Sequence, residues 1–221
     1  LNRARLDPHR RRVVRGYGIL QPTVGASMSG LQASRYARMY GSEPGIDPYT
    51  RMVSDVYQDL FGEGSFIGKG IYDVDVIVAV LHGRFPEDRV LSHDLLEGCY
   101  TRAGLVSDVR LYESYPSRYA ADITRQARWI RGDWQLLPWM LPWVPRGLHG
   151  HEWSPLSWLS RGKLLDNLRR SLVPVAATAL LVIGWIILPE PLEWTLWLVC
   201  LLLLPVLVPA IRDVLVKPLD M

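Results

Sequence analysis

The stretch Ser171–Leu188 reads SLVPVAATALLVIGWIIL and has no charged residue in 18 positions. A second uncharged stretch of 18 residues, Trp194–Ile211, reads WTLWLVCLLLLPVLVPAI. At about 1.5 Å per residue, each would form a helix of roughly 27 Å, close to the thickness of the hydrocarbon core of a bilayer. A buried helix of a soluble protein would normally show a polar face, which neither stretch has. The sequence therefore predicts two transmembrane helices, over 171–188 and 194–211.

The charges around these two stretches indicate their orientation. The connector between the two stretches, Pro189–Glu193, holds two glutamates. Basic residues flank the pair on both outer sides: Arg161, Lys163, Arg169, Arg170, Arg212 and Lys217. Because basic flanks stay in the cytoplasm, we expect a transmembrane hairpin over 171–221 with its acidic turn outside. Residues 1–170 would then lie in the cytoplasm.

A tryptophan-rich segment precedes the first apolar stretch. It contains Trp134, Trp139, Trp143, Trp153 and Trp158. Tryptophan favours the membrane–water interface, so we interpret 136–170 as an interfacial segment. Its first part, roughly 136–160, would lie along the cytoplasmic face of the membrane. The alternative is a set of core tryptophans of the soluble part. Four prolines in this segment argue against one long helix.

Composition narrows the class of protein further. The chain has 221 residues, of which 49% are hydrophobic and 21% charged, and its net charge is +3, which excludes a wholly disordered chain. Two cysteines cannot form a disulfide framework or a four-cysteine zinc site. Six of the first fifteen residues are arginines, but no recognised nucleic-acid module follows, so we expect no nucleic-acid partner.

The sequence near the start also predicts two elements of secondary structure. The pattern of Val13–Gln21 predicts a strand that ends at Pro22, and that of Ser29–Tyr40 predicts a helix.

Three patterns in the soluble part bear on chemistry. The first is the glycine-rich FGEGSFIGKGIYDVD at 61–75, which fits a ligand-contacting loop or a plain structural turn. The second is RFPEDRVLSHDLLEGCY at 84–100, where Asp94 opens a helix with Glu97 on the same face. Asp94 is either a helix-capping acid or a general base. The third is a helix over 119–135 whose arginines recur every three residues.

The third pattern places Arg125, Arg128 and Arg131 on one stripe. Planar guanidinium groups bind phosphate oxygens in pairs, so a diphosphate would satisfy this stripe. A solvated face, or pairing with Asp122 and Asp133, would satisfy it equally well.

Taken together and in this order, the patterns resemble a known family. Ser92-His93-Asp94, then RQARW at 125–129, then apolar helices resemble the second half of processive inverting glycosyltransferases of the GT-A fold. Longer phrases, GYGILQP, EPGIDPYTR, SDVYQDLFGEGSFIGKGIYDVD, RFPEDRVLSHDLLEGCY and RWIRGDWQ, resemble the glucosyltransferase domain of bacterial cyclic β-1,2-glucan synthases over nearly all of 13–145. The implied fold is α/β: residues 1–135 would be the C-terminal part of a GT-A-like catalytic domain, followed by the two transmembrane helices.

The resemblance implies roles for individual residues. Asp94 would be the general base that deprotonates the acceptor 2-hydroxyl, which then attacks the anomeric carbon of UDP-glucose with inversion. Arg128 and Arg125 would bind the donor diphosphate. Trp129, Gly64 and Gly68 would contact the acceptor glucan. The partners would be UDP-glucose, the glucan acceptor and the lipid bilayer of a bacterial inner membrane. One departure is that the family's QxxRW glutamine falls on Arg125, with Gln126 shifted by one position.

A second departure concerns the metal. The family implies Mg²⁺ or Mn²⁺ held by a D-x-D at a strand end, yet 1–60 contains no D-x-D. Asp73-Val74-Asp75 has the right letters but follows the glycine-rich stretch, so we interpret it as the turn after that loop and expect no metal ligands in this chain. The nucleotide-binding half would lie before Leu1, which makes the chain a fragment. Rival interpretations are a membrane glucosyltransferase that makes linear osmoregulated glucan and a catalytically inactive truncated membrane protein.

Overall fold

The computed structural model describes residues 3–9, 11–40, 55–86, 89–91, 93–147 and 150–215. The chain divides into two compact units, Leu1–Leu168 and Arg169–Met221. The strands are β1 Arg5–Asp7, β2 Arg12–Arg15, β3 Ile19–Ala26, β4 Ile71–Tyr72, β5 Ala103–Glu113, β6 Trp143–Arg146 and β7 Gly150–Trp153. The helices are α1 Met28–Gln32, α2 Arg35–Tyr40, α3 Val56–Phe61, α4 Val74–Leu81, α5 Asp94–Thr101, α6 Tyr119–Gln135, α7 Trp158–Ile187 and α8 Pro191–Leu215.

The first unit mixes strands and helices, as the sequence predicts. Its central sheet has the order β4-β3-β5, with β3 parallel to β5 and antiparallel to β4. β1 and β2 form a separate antiparallel ribbon, and β6 and β7 form a hairpin. This composition confirms the α/β prediction at the coarse level, whereas the GT-A arrangement stays a prediction.

Two local predictions near the start of the chain are wrong. The expected strand over Val13–Gln21 is interrupted at Gly16, whose φ of +71° lies in the left-handed region. β3 then runs through Pro22 instead of ending there, because the pairing with β5 shifts register between Pro22 and Thr23. An irregularity of this kind accommodates a residue that has no N–H to donate. The expected helix over Ser29–Tyr40 is two short helices, α1 and α2.

Serine side chains account for that division. Ser27 Oγ accepts a hydrogen bond from Gly30 N at 3.1 Å, which caps α1, and Ser34 Oγ accepts one from Ala37 N at 3.0 Å at the start of α2. A second N-cap in the middle of a helical pattern satisfies the amides of a new helix and so ends the previous one.

The main hydrophobic core lies between α4, α5 and the beginning of α7. Its buried side chains include Val80, Leu96, Tyr100, Trp139 and Leu164. Trp139 is 2% exposed, so it is a core tryptophan of the first unit. The other four tryptophans of the 134–158 segment are exposed. The described residues of 136–157 form a 3-10 turn over Leu137–Met140 and the β6–β7 hairpin.

The second unit contains the apolar stretches. In the described part of the chain, α7 is the helix that is long and apolar enough to cross a membrane, judged by length and composition. The apolar run Pro191–Pro205 in α8 is shorter, so the second transmembrane helix stays a prediction. The two helices contact each other near the turn, where Trp194 Nε1 donates to Leu180 O at 2.9 Å and Trp185 Nε1 donates to Thr195 Oγ1 at 2.7 Å.

Candidate active site

Asp94 is the first residue of α5, as the sequence predicts. His93 occupies the N-cap position, and its side chain makes no capping bond to the helix. Asp94 is half-buried, and its carboxylate lies at the positive end of the helix dipole, which stabilises negative charge. Ser92, the first residue of the Ser-His-Asp pattern, lies outside the described residues.

The glycine-rich loop, residues 62–70, contacts this carboxylate at Gly68. Gly68 has a φ of +87°, and a Cβ built on it would lie 2.8 Å from Asp94 Oδ2. A side chain at this position would therefore be strained and would collide with the carboxylate. The structure brings together two of the residues selected from sequence, Asp94 and Gly68.

Gly64 lies at a different place in the loop. It is buried, and its N–H donates to Ala103 O at 2.8 Å. A Cβ on Gly64 would lie 3.1 Å from Asp55 Oδ2, so close packing against the interior accounts for this glycine. Lys69, the one lysine of the loop, is ion-paired with Glu113.

Two further ionisable side chains share the Asp94 surface. His93 Nδ1 lies 2.8 Å from Glu97 Oε1, and this hydrogen bond raises the pKa of His93, although burial of the imidazole opposes it. The pKa of Tyr72 is raised by burial and by the negative charges of Glu97 and Asp94. Sequence reasoning placed Glu97 beside Asp94 but gave His93 and Tyr72 no role. The i,i+4 spacing of His93 and Glu97 could have indicated their pairing, whereas Tyr72 has no local signal.

The trio His93, Asp94 and Glu97 is also the place where described residues could hold a cation. Each side chain offers one nitrogen or oxygen atom, and these atoms lie within 4.8 Å of one another. The D-x-D letters at 73–75 lie at the start of α4. Asp73 is the N-cap of α4, its side chain accepts a hydrogen bond from Val76 N at 3.2 Å, and Asp75 lies in the first turn. The expected turn at 73–75 is therefore the start of a helix.

The arginine stripe lies on α6, as predicted, but its members have different surroundings. Arg125 Nη2 donates to Asp122 Oδ1 at 2.6 Å, and its guanidinium lies 4.7 Å from the ring centroid of Trp129. Arg128 and Arg131 are exposed. The alternative of pairing with Asp122 thus holds for Arg125, while Arg128 faces solvent as a phosphate ligand would require.

The aspartate that pairs with Arg125 is the centre of a buried network. Asp122 is 1% exposed and also accepts hydrogen bonds from Tyr36 Oη at 2.7 Å and Gln126 Nε2 at 3.0 Å. Burial alone would raise the pKa of Asp122, but the hydrogen bonds from Tyr36 and Arg125 lower it below its ordinary value. Arg125 and Gln126, the two candidates for the first position of the QxxRW pattern, therefore bind the same carboxylate.

One described hydrogen bond connects α6 to the Asp94 region. Leu91 N donates to Gln135 Oε1 at 2.8 Å, which joins the last residue of α6 to the loop before α5. Trp129 and Arg128 lie six and seven residues before Gln135, or about 9–10 Å along the helix axis. This hydrogen bond thus places the end of α6 beside the loop that leads into α5.

Together these features describe a mixed α/β unit with a carboxylate at a helix start, a glycine loop packed against it and an apolar helix that is long enough to span a membrane. No family model matches the chain. The chain is 48% identical over 198 residues to the cyclic beta-(1,2)-glucan synthase NdvB of Rhizobium meliloti (strain 1021). This similarity confirms the resemblance drawn from the quoted phrases. It covers 89% of this chain and 7% of the relative, so the chain spans a small part of that protein's length.

Proposed function

We propose that this chain is part of a membrane glucosyltransferase that transfers glucose from UDP-glucose to a growing β-1,2-glucan with inversion. The observation that carries the proposal is the 48% identity over 198 residues to a protein named as a cyclic β-(1,2)-glucan synthase. The contact between Gly68 and Asp94 supports it, since a glycine places no side-chain atoms against this side of a half-buried carboxylate at a helix start. A position without a Cβ leaves more room for a sugar hydroxyl near the carboxylate.

In this proposal Asp94 is the general base. Its carboxylate takes the proton from the 2-hydroxyl of the acceptor glucose, and that oxygen attacks the anomeric carbon of the donor from the face opposite the UDP. The new C–O bond forms as the bond to the diphosphate oxygen breaks, and UDP leaves with the electron pair. The N-terminus of α5 stabilises negative charge on this carboxylate.

The residues of α6 would bind the donor diphosphate and the acceptor sugar. Arg128 is exposed and can donate to the diphosphate as its negative charge develops. Arg125 would support it from beside Trp129, whose half-buried ring would stack on an acceptor sugar. The Mg²⁺ or Mn²⁺ of the family belongs to the proposal with ligands outside this chain, and the Asp73 carboxylate caps the start of α4.

The lipid bilayer of a bacterial inner membrane is the proposed environment, with the first unit in the cytoplasm. The length and composition of α7 support this placement. The exposed indoles of Trp143 and Trp153, which pack edge to face on the β6–β7 hairpin with centroids 5.8 Å apart, suit a position at the headgroup level.

The test replaces Asp94 by asparagine in the full-length protein, in inner-membrane vesicles. Asp94→Asn keeps the shape of the side chain but cannot accept the proton, so glucose transfer from labelled UDP-glucose should fall by roughly 10²–10⁴-fold. Binding of UDP-glucose should remain. Asp75→Asn is the matched control, since Asp75 is an exposed carboxylate in the first turn of the neighbouring helix α4, and it should keep full activity.

Two results would contradict the proposal. Unchanged transfer by Asp94→Asn would remove the base assignment, and absence of transfer by the unaltered protein would leave the inactive-protein interpretation. End-group analysis of the product adds the remaining distinction. A product with a free reducing end would favour a linear osmoregulated glucan, because a cyclic glucan has no such end.

A further inference from the structure

The glycine-rich loop is held by side chains from several distant parts of the first unit. Gln21, 1% exposed, bonds the loop twice: its Nε2 donates to Ser65 O at 2.9 Å and its Oε1 accepts from Ile67 N at 2.6 Å. Asp55 Oδ2 accepts from Ser65 N at 3.0 Å. Gly62 O accepts from Tyr17 Oη at 3.0 Å and from Arg102 Nη2 at 2.8 Å. A loop whose main-chain groups are bonded in this way has little freedom to shift.

Two further carbonyls of the loop are bonded by a lysine from α7. Lys163 is 2% exposed, and its Nζ donates to Gly64 O at 2.8 Å, to Glu63 O at 3.1 Å and to Glu63 Oε1 at 3.1 Å. These three acceptors match the three N–H donors of an ammonium group. Burying a lysine is costly unless it is paired and hydrogen-bonded, so the arrangement needs a reason beyond filling space.

The position of Lys163 suggests that reason. An apolar side chain would fill the core beside Leu164 but could donate to neither of the two consecutive carbonyls that Lys163 bonds. Four residues after Gly64 the chain reaches Gly68, where the loop lies against the Asp94 carboxylate. Ser65 and Ile67, between these two points, are fixed by Gln21. A shift of Gly64 would therefore move Gly68, because hydrogen bonds restrict the backbone torsions of the segment between them.

We infer that Lys163 is a positioning residue, which fixes the glycine loop so that Gly68 borders the Asp94 carboxylate on the acceptor side. The inference rests on the proposed function for the identity of Asp94 as the base. It assigns to the beginning of α7, the helix that continues into the apolar stretch, a part in shaping the site. Lys163 acts through the loop and does not itself touch the substrate.

The experiment compares three variants of the full-length protein in nanodiscs. Lys163→Met removes the bonds to both carbonyls and keeps most of the side-chain volume. Glu63→Gln removes the ion pair but leaves the two carbonyl bonds. Tyr57→Phe is the matched control, because it removes the hydrogen bond that Tyr57 Oη donates to Asp166 Oδ2 at 2.9 Å, in the same part of α7, and keeps the aromatic ring whose centroid lies 5.4 Å from Lys163 Nζ.

Two measurements are made on each variant. The first is amide hydrogen exchange of peptides covering 62–68, compared with peptides from β5. Lys163→Met should raise exchange in the loop by roughly tenfold or more, as expected for losing hydrogen bonds to a charged donor, with β5 unchanged. The second is transfer kinetics. The KM for the acceptor should rise by about tenfold while the KM for UDP-glucose stays within about twofold, because only the acceptor side is displaced.

Each alternative result has a definite meaning. Glu63→Gln and Tyr57→Phe should leave both measurements near those of the unaltered protein. Unchanged loop exchange in Lys163→Met would overturn the inference, and so would faster exchange with an unchanged acceptor KM. Glu63→Gln behaving like Lys163→Met would show that the ion pair matters and the carbonyl bonds do not. A failure of the proposed function would appear as active Asp94→Asn, and the exchange result would stand independently of it.

Discussion

At the scale of single residues, Gly68 and Asp94 define the site through one contact. Two properties of Gly68 exclude other residues: its φ of +87° and the 2.8 Å that would separate a Cβ from Asp94 Oδ2. Gly83 shares the first property but not the second, since its φ is +64° and a Cβ on it would meet nothing within 4 Å. The two glycines therefore allow backbone strain to be separated from collision with the carboxylate.

The prediction is that Gly68→Ala impairs transfer and Gly83→Ala does not. Both substitutions place alanine at positive φ and should cost about 1 kcal/mol of unfolding free energy. Gly68→Ala also displaces the carboxylate, and a misplacement of about 1 Å can cost roughly a hundredfold in rate. Thermal unfolding midpoints and transfer rates of the two variants check this. Equal rates in the two variants would show that the Gly68–Asp94 contact has no part in catalysis.

The pair His93 and Glu97 gives a pH-dependent prediction. Because Glu97 raises the pKa of His93 above 6.5 in the folded state, the pair stabilises the fold fully below that pH. The stabilisation is lost as the pH rises through the folded pKa. His93 is half exposed, so the contribution should stay below about 1 kcal/mol. Unfolding midpoints measured against pH should decline over this window, and Glu97→Gln should remove that decline; a decline that persists in Glu97→Gln would exclude the pair as its cause.

Residue-level prediction from sequence succeeded where the signal was local. The polar run before an apolar pattern placed Asp94 at a helix start, and the spacing placed Glu97 beside it. The resemblance placed Gly68 on the acceptor side, whereas its contact with Asp94 came only from the structure. Lys163 was selected as a basic flank of an apolar stretch, yet it is buried against Glu63, which lies 100 residues earlier. No local pattern specifies a partner at that separation.

At the scale of elements, α6 is fixed at its first turns by Asp122. This carboxylate joins α6 to α2 through Tyr36 and holds Arg125 beside Trp129. The sequence predicted the helix and its stripe of arginines, because their period is local. It could not predict that Arg125 is half-buried while Arg128 and Arg131 are exposed. That difference depends on Tyr36 of α2, which bonds Asp122, and on Tyr115, which lies against the Arg125 guanidinium. The division of 29–40 into two helices likewise depended on serine caps that compete with a continuous helix.

The expected consequence is that Asp122→Asn weakens the α2–α6 connection. Removing a buried charge that accepts several hydrogen bonds should lower the unfolding free energy by about 2 kcal/mol. Because the folded pKa of Asp122 is lowered, its stabilisation is present above pH 3.8 and is lost as the pH falls through the folded pKa. Chemical denaturation at neutral and acidic pH measures both effects. Asp108→Asn, an exposed carboxylate on β5, should change neither, and equal effects of the two substitutions would contradict the role of the network.

At the scale of the whole molecule, helix α7 belongs to both compact units. Ser160, Lys163, Leu164 and Leu168 are buried in the first unit. The apolar residues from Ser171 onward belong to the second. Hydropathy located the uncharged stretch correctly, because it depends on composition alone. It could not locate the true beginning of the helix at Trp158, since residues 158–168 combine charges with core positions whose partners lie far away in the sequence.

The orientation of the expected transmembrane hairpin, residues 171–221, gives the last prediction, which cysteine labelling checks. Burial raises the pKa of Cys99 to about 11, so this thiol should not react, and Cys200 can be replaced by alanine. With the acidic turn outside, Glu190→Cys should react with a membrane-impermeant maleimide in intact spheroplasts. Ser117→Cys, on an exposed position of the first unit, should react only after the membrane is opened. Labelling of both sites only after opening would mean that the turn stays in the cytoplasm. In that case α7 and α8 would not cross the membrane as a pair. They could then not anchor the site to the membrane as a transmembrane hairpin.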